Sequence, residues 1–550
     1  MSIVQNPILP GFHPDPSAVR VGDTFYIANS TFEYYPGVKI SSSKDLIQWQ
    51  TEAYPLNEDR LLNMMNQDSS SGVWAPCLSF SNGMFYLVYS NIRTFKLEGK
   101  EGIPFHDDYN FLITSTSLDG PWSDPIYLTG SGFDASMFHD DDGRKWLLYA
   151  KWSWRKEPGS EGQHAAGFYG IAMQEYDPNQ QRLIGEENII FRGTEKGLTE
   201  GPHLYKKDGY YYLLTAEGGT EYEHACTIAR SKDICGPYEI RPGNPYLLTA
   251  AGNQEVGLQK SGHGALLTGI YDEWYLVHLC SRPIKKDDDL VYSRENSFSV
   301  LGRETGIQPI EWRDGWPYIL GGSNAPLESF EVPYESNSKE NASTEFIYDF
   351  HDAHLSCDFL NLRIPMGNDY FTTSEREGYL RIYGRDSIVS RHQQAALFRR
   401  QQSFYCEVET CMEFEPDSYQ QLAGILYRYN ESNQYYAYVS FDEKSQRKYL
   451  SMMCFDQGFF INTTSAPLYF DHHQIYLKVK VEKSIASFLY SFDGIHWSGL
   501  GDPVDALKIS DEYCWPGFTG AMFGISAQDF TGRRKSADIK YFTYRNARTE

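Results

Sequence analysis

Short apolar runs, each centred on an aromatic residue, recur along the first half of the chain: Phe25-Tyr-Ile27, Phe85-Tyr-Leu87, Lys145-Trp-Leu147, Tyr211-Tyr-Leu213 and Trp274-Tyr-Leu276. Runs of this length and residue type suit strands, and no sustained 3.6-residue period competes with them. A turn pair such as Asn82-Gly83, Asp142-Gly143 or Asp208-Gly209 precedes several of them, as a hairpin requires. Eleven or twelve residues upstream of each middle aromatic stands a second repeated construction, a key residue followed by small or proline residues and then an apolar one. Its five copies are Asp15-Pro-Ser-Ala-Val, Trp74-Ala-Pro-Cys-Leu, Asp134-Ala-Ser-Met-Phe, Glu200-Gly-Pro-His-Leu and His263-Gly-Ala-Leu-Leu. The middle aromatics Tyr26, Tyr86, Trp146, Tyr212 and Tyr275 lie 60, 60, 66 and 63 residues apart. A regular period of β units predicts a five-bladed β-propeller over residues 1–325, with the five key residues facing a common axis.

Residues 326–343 lack an aromatic core and are rich in Ser, Asn, Glu and Pro, so they read as a linker. Residues 344–550 alternate apolar and polar positions in short runs, such as Tyr435-Tyr-Ala-Tyr-Val-Ser-Phe441 and Ile475-Tyr-Leu-Lys-Val-Lys-Val481, with no period near 60. That pattern predicts a separate β-sandwich. The whole chain is expected to be all-β.

Composition narrows the partners. The formal charge of −24 disfavours nucleic acid and anionic membrane surfaces. Aromatic content of 15% suits sugar recognition as well as strands, because sugar C–H faces pack on aromatic planes. No apolar run reaches the roughly 20 residues that span a bilayer, and the first residues carry neither a basic nor an apolar signal region. Nine scattered cysteines without a C-x-x-C pair read as reduced thiols, so a cytoplasmic location is expected.

Three of the five key residues are carboxylates. Asp15 and Asp134 each have a plain structural reading, since Asp starts and caps turns. Glu200 does not, because Glu forms turns poorly and a charge beside an apolar strand is costly unless paired or used. Their coincidence in one repeat tips the balance towards chemistry. Carboxylates crowded round an axis cannot all ionise cheaply, so at least one pKa rises. Glycoside hydrolysis uses that separation, with one protonated acid and one ionised base. Asp15 and Glu200 fall on non-adjacent blades, and a gap of roughly 6.5–9.5 Å would admit a water and give inversion. His263 reads equally as a structural histidine or as a metal ligand or substrate contact, and Trp74 as a stacking platform or as core. Asp140-Asp-Asp-Gly143 lacks the downstream Glu of a calcium loop and reads as a turn.

With these residues assembled, the chain resembles glycoside hydrolase family 43, and within it the two-domain β-xylosidases. Asn6-Pro-Ile-Leu-Pro-Gly-Phe-His-Pro-Asp-Pro-Ser17, Gly132-Phe-Asp-Ala-Ser-Met-Phe138 and Thr199-Glu-Gly-Pro-His-Leu-Tyr205 carry the resemblance, with Leu301-Gly-Arg-Glu-Thr305 and Pro516-Gly-Phe-Thr-Gly-Ala-Met-Phe523. It implies a concanavalin A-like sandwich after the propeller, Asp15 as general base, Glu200 as general acid, and Asp134 tuning and orienting the acid. It further implies that Arg303 holds sugar hydroxyls, that Phe32, Trp74 and His263 line the pocket, and that Phe518 closes it. The implied reaction is exo-acting, inverting release of xylose from β-1,4-xylo-oligosaccharides such as xylobiose, with side α-L-arabinofuranosidase activity. No cofactor is required, a structural calcium on the axis near His263 is left open, and dimers or tetramers are expected. The rivals are a dominant arabinofuranosidase and a non-catalytic sugar-binding propeller. One departure is Cys77, which follows Trp74-Ala-Pro where the family has Asp.

Overall fold

The computed structural model describes residues 2–94, 106–153, 167–335, 345–365, 367–463 and 466–547. Among them the only helix is a single 3-10 turn, Ala506–Lys508. The chain divides into two units. The first comprises Met1–Leu62, Ser70–Ser297 and Arg303–Ser336; the second comprises Asn63–Ser69, Phe298–Gly302 and Asn337–Glu550.

The first unit is a five-bladed propeller of antiparallel sheets. Its innermost strands are Ser17–Val21, Gly72–Ser81, Gly132–His139, Glu200–Lys207 and Gln259–Thr268, each touching those of the neighbouring blades, and the fifth touching the first. Burial falls from the axis outward: Gln259–Thr268 is almost wholly buried, whereas Gln50–Ala53 at the rim of blade one alternates exposed and half-buried positions. The middle aromatics pack between blades, as where Tyr212 joins Leu214, Ile228, Leu266 and Trp316 in one cluster.

The ring is closed by the two ends of the unit. Ser2–Gln5 pairs antiparallel with Ser329–Val332, so part of the stretch expected to be linker is a strand. Phe330 and Val332 are buried in the cluster that holds Val4, Phe25 and Val277. A four-residue strand whose partner lies at the other end of the unit leaves no local pattern to read. Asn6 locks the closure: its Nδ2 donates to Ile307 O at 2.7 Å and Leu327 O at 2.9 Å, and its Oδ1 accepts from Ile307 N at 2.9 Å.

The register of the repeat differs from the expectation at two blades. The innermost strands of blades two to five each carry a bulge, between Trp74 and Cys77, Phe133 and Ser136, Glu200 and His203, and Gly262 and Gly264. The residue with positive φ at these positions is Ala75, Asp134, Gly201 and His263, and Asp15 is its counterpart on blade one. Each lies four residues before the partner of its blade's middle aromatic: Val19 for Tyr26, Ser79 for Tyr86, Phe138 for Trp146, Tyr205 for Tyr212 and Leu267 for Tyr275. Trp74 and Glu200 therefore stand one residue ahead of the slot that Asp15, Asp134 and His263 occupy. A bulge leaves one residue unpaired and re-aims its neighbours, which brings both offset side chains into play.

The second unit is a sandwich-type β fold with one nine-stranded and one seven-stranded sheet. Strand Gln474–Glu482 shows the alternation expected of a half-buried sheet. Two segments that fall between propeller strands in sequence fold with it. Asn63–Ser69 is held by Arg363, whose Nε donates to Gln67 O at 2.7 Å, and by Glu431, which accepts from Ser69. Phe298–Gly302 is held by Glu512.

Candidate active site

Asp15, with φ of 50°, presents its carboxylate to two donors. Arg303 Nη1 donates to Oδ1 at 2.9 Å, and Ser30 Oγ donates to Oδ2 at 2.7 Å. Ser30 Oγ in turn accepts from Ala75 N at 2.7 Å, so the bulge of blade two orients the serine that orients the aspartate. The loop beneath is braced by Asn29, whose Nδ2 donates to His13 O, Pro14 O and Thr305 Oγ1 at 3.1, 2.9 and 3.0 Å. Arg303 is buried, lies 5.4 Å from the centre of the Phe32 ring, and gives its carbonyl to His13 N at 2.9 Å.

Asp134 and Glu200 are both buried. Burial, then repulsion from Glu200 and Asp15, raises Asp134 well above the ordinary carboxylate range. Burial and repulsion from Asp15 push Glu200 up to about 8, against the pull of Arg303. Repulsion within the pair is mutual, so the two titrate together and one holds its proton. Gly201 N donates to Asp134 Oδ2 at 3.2 Å, which favours charge on Asp134. Glu200 accepts no side-chain hydrogen bond from the described residues.

Gly201 is a site residue that the sequence reading passed over. Its φ is 56°, and a Cβ there would fall 2.7 Å from His263 Nε2. His263 Nδ1 lies 3.8 Å from Asp15 Oδ1, and burial lowers its pKa. Two further histidines lie within electrostatic reach of it, the half-buried His203 and the buried His224: desolvation lowers His203 to about 3 and takes His224 well below the usual range. With the histidines neutral, Arg303 is the cation that faces these carboxylates. Among the described residues no three His, Cys, Asp or Glu side chains are grouped to hold a metal ion. At His263 the carboxylate in reach is Asp15, which already accepts from Arg303 and Ser30.

Aromatic residues continue the wall. Phe32 lies 6.0 Å from Trp74, whose ring meets Phe133, the neighbour of Asp134, edge-on at 5.8 Å. Trp74 Nε1 donates to Ser70 O at 2.9 Å, which leaves its ring half-buried. Beyond Phe133 follow Trp152 at 6.3 Å and Phe168 at 5.8 Å, neither singled out from sequence because neither stands at a repeated position. The expected residues Asp15, Phe32, Trp74, Asp134, Glu200, His263 and Arg303 thus form one connected set within the propeller. Phe518 belongs to the second unit, on a loop pinned where Thr519 N donates to Tyr429 Oη at 3.1 Å. Cys77 is buried with Val88, Ala135, Met137 and Tyr149, and burial pushes its thiol up to about 11. It serves as apolar packing.

Comparison with known proteins agrees in both halves. Residues 4–317 match the family described as Glycosyl hydrolases family 43, and residues 347–545 match the Beta xylosidase C-terminal Concanavalin A-like domain. A solved structure of a xylan beta-1,4-xylosidase from Bacillus halodurans C-125 superposes with a TM-score of 0.90 at 43% identity, covering 98% of this chain and 100% of that one. A Xylan 1,3-beta-xylosidase of Vibrio sp is 38% identical over 98% of this chain and 99% of its own. A Xylosidase/arabinosidase 43B of Humicola insolens is 40% identical over 99% of this chain and 98% of its own.

Proposed function

The chain belongs to glycosyl hydrolases family 43, and from that premise we propose that it is an exo-acting, inverting β-xylosidase that releases xylose from the non-reducing ends of β-1,4-xylo-oligosaccharides. The observation that carries the roles is the unequal treatment of its carboxylates. Asp15 accepts hydrogen bonds from a guanidinium and a hydroxyl, as an anionic base should. Glu200 is buried without such donors and holds its proton to about 8. Environments that push two carboxyl groups apart assign the acid and the base.

In the proposed reaction Asp15 takes a proton from a water as its oxygen attacks the anomeric carbon. Glu200 gives its proton to the departing glycosidic oxygen, so the products are xylose of inverted configuration and a shortened oligosaccharide. The proton then returns from Asp15 to Glu200 through solvent. Asp134, repelling a charge on Glu200, keeps the acid loaded, and Arg303 fixes Asp15 and meets sugar hydroxyls. Phe32, Trp74 and His263 line the sugar site. Acid, base and water suffice, without a cofactor.

Replacing Glu200 by Ala should abolish xylobiose hydrolysis and spare an aryl xyloside whose leaving group needs little protonation. Equal losses on both would remove its acid role. Digesting β-1,4-xylobiose and following the newborn anomer by NMR reads linkage and stereochemistry together, and α-xylose must appear first. The Vibrio relative makes β-1,3-xylobiose the informative competitor, and the Humicola relative makes aryl arabinofuranoside the second.

The same proposal includes a cytoplasmic location and self-association. All nine cysteines are free, and no helix among the described residues is long and apolar enough to cross a membrane. Strand Phe459–Asn462 ends its sheet with Phe459, Phe460 and Ile461 exposed, an edge that favours association. Sedimentation of the purified protein should show dimers or tetramers.

A further inference from the structure

Of the two interstrand segments that fold with the second unit, Phe298–Gly302 runs directly into Arg303. Its turn is closed by Gly302 N donating to Ser299 O at 3.0 Å. Ser299 N donates to Glu512 Oε2 at 2.6 Å, and Ser299 Oγ donates to Glu512 Oε1 at 2.8 Å. One buried carboxylate thus grips both donors of a single residue. Val300 and Leu301 are buried, and Ala521 N donates to Val300 O at 2.9 Å. Gly302 has φ of 72°, and a Cβ there would lie 2.1 Å from Thr519 O; a Cβ on Gly520 would lie 2.8 Å from Leu301 O. The two stretches therefore meet backbone to backbone, which glycine alone permits. Thr519 is itself held by Tyr429, whose hydroxyl donates to Asp511 Oδ1 at 2.5 Å.

A buried carboxylate is costly unless its oxygens are bonded, and Glu512 commits both of them to the residue four positions before Arg303. On the far side of the turn, Arg303 O is fixed by His13 N. We propose that Glu512 is a positioning residue for the reaction: by fixing the Ser299–Gly302 turn it sets where the Arg303 guanidinium meets Asp15. The inference rests on the reading of Asp15 and Glu200 as base and acid.

The test compares kcat, KM, the pH profile and Tm of Glu512→Ala, Glu512→Gln and Ser299→Ala on an aryl xyloside and on xylobiose. Asp529→Asn is the control: it weakens a clamp on Thr531 and Lys535 elsewhere in the same unit. Misplacing a reacting group by about 1 Å costs roughly a hundredfold, so Glu512→Ala should lower kcat/KM by about 10- to 100-fold. Its basic limb should also move to higher pH. Glu200 is faced by Asp15, Asp134 and Arg303, and Arg303 is the group that pulls its pKa down. Glu512→Gln keeps an acceptor for the amide and a donor for the hydroxyl, and should stay within about threefold of wild type. Ser299→Ala should fall between the two, and Asp529→Asn should lower Tm without moving the limb.

A Glu512→Ala enzyme with wild-type kcat/KM and an unmoved basic limb overturns the proposal, whatever its Tm. So does a Gln variant as impaired as Ala. Should Glu512→Ala not fold, an unmoved rate and limb in Ser299→Ala overturn it instead. A wild-type enzyme with no basic limb would count against the acid role of Glu200. A wild-type limb that these variants leave in place would count against Glu512 alone.

Discussion

Glu200 carries a stability cost that its own replacement should reveal. Its carboxyl is raised from an ordinary 4.5 to about 8, chiefly by burial. Because the folded-state value lies above the unfolded one, the native state binds the proton more tightly. That contribution is complete below about 4.5 and is lost as pH rises through about 8. The gap from 4.5 to about 8, at about 1.4 kcal/mol per unit, amounts to about 5 kcal/mol. Domains are stable by only about 5–15 kcal/mol, so this is a large share.

Glu200→Gln keeps the shape and stays neutral at every pH, so it should escape the loss. The wild-type and variant curves should lie close at pH 5, and the variant should become the more stable by roughly 3–5 kcal/mol at pH 9. Asp134 titrates with Glu200, and the difference therefore reads the second ionisation of the pair. Urea unfolding at stepped pH measures it. Tryptophan fluorescence isolates the propeller transition, since every tryptophan except Trp497 and Trp515 precedes residue 325. General repulsion from the net charge of −24 destabilises both proteins at high pH and cancels in the difference. A gap that does not change between pH 5 and 9 would mean that Glu200 is not held protonated, and its role as acid would fall with it.

Gly201→Ala introduces a Cβ 2.7 Å from His263 Nε2 at a φ of 56°. It should cost about 2–3 kcal/mol in unfolding experiments and about a hundredfold in kcat, whereas Gly209→Ala, with φ of 77° and open space around it, should show the backbone cost and leave kcat unchanged. Arg303→Lys gives up the planar fork over Phe32 and should lower kcat/KM by about a hundredfold or more in steady-state assays. Asn6→Ala removes the bonds to Ile307 and Leu327 that close the ring. It should lower stability by about 2–4 kcal/mol by urea unfolding while kcat at low temperature holds.

The period of the aromatic cores made the propeller legible, because each blade must bury the same face against its neighbour. The one-residue offset of Trp74 and Glu200 from the slot of Asp15 was not legible, for a geometric reason. Blades one, two and four turn through two residues, as at Asn82-Gly83, whereas blades three and five use the longer turns between His139 and Lys145 and between Thr268 and Trp274. The longer turns shift the count by one residue, which mimics the offset of Trp74 and Glu200. Register depends on cross-strand pairing, and a bulge hides from any pattern read along one strand. Ser30 and Gly201 were hidden in another way. Their work is to hold other residues in place, and a hydroxyl or a glycine says nothing about its partner until the blades are brought together.

The shared slot explains how one repeated construction yields different chemistry. Asp tolerates a left-handed φ, so on blades one and three the slot itself carries a short carboxylate, Asp15 and Asp134. What distinguishes those two is the blade beside each. Blade five offers Arg303 to Asp15, and blade four offers only the N–H of Gly201 to Asp134. On blade four the slot is glycine, and the carboxylate moves one residue back to Glu200, whose side chain has an extra methylene and no donor. Swapping Glu200 for Asp keeps the charge and loses that reach. If the offset rather than the charge makes the acid, Glu200→Asp should behave nearly as Glu200→Ala on xylobiose while retaining the pH-dependent cost of a buried carboxyl.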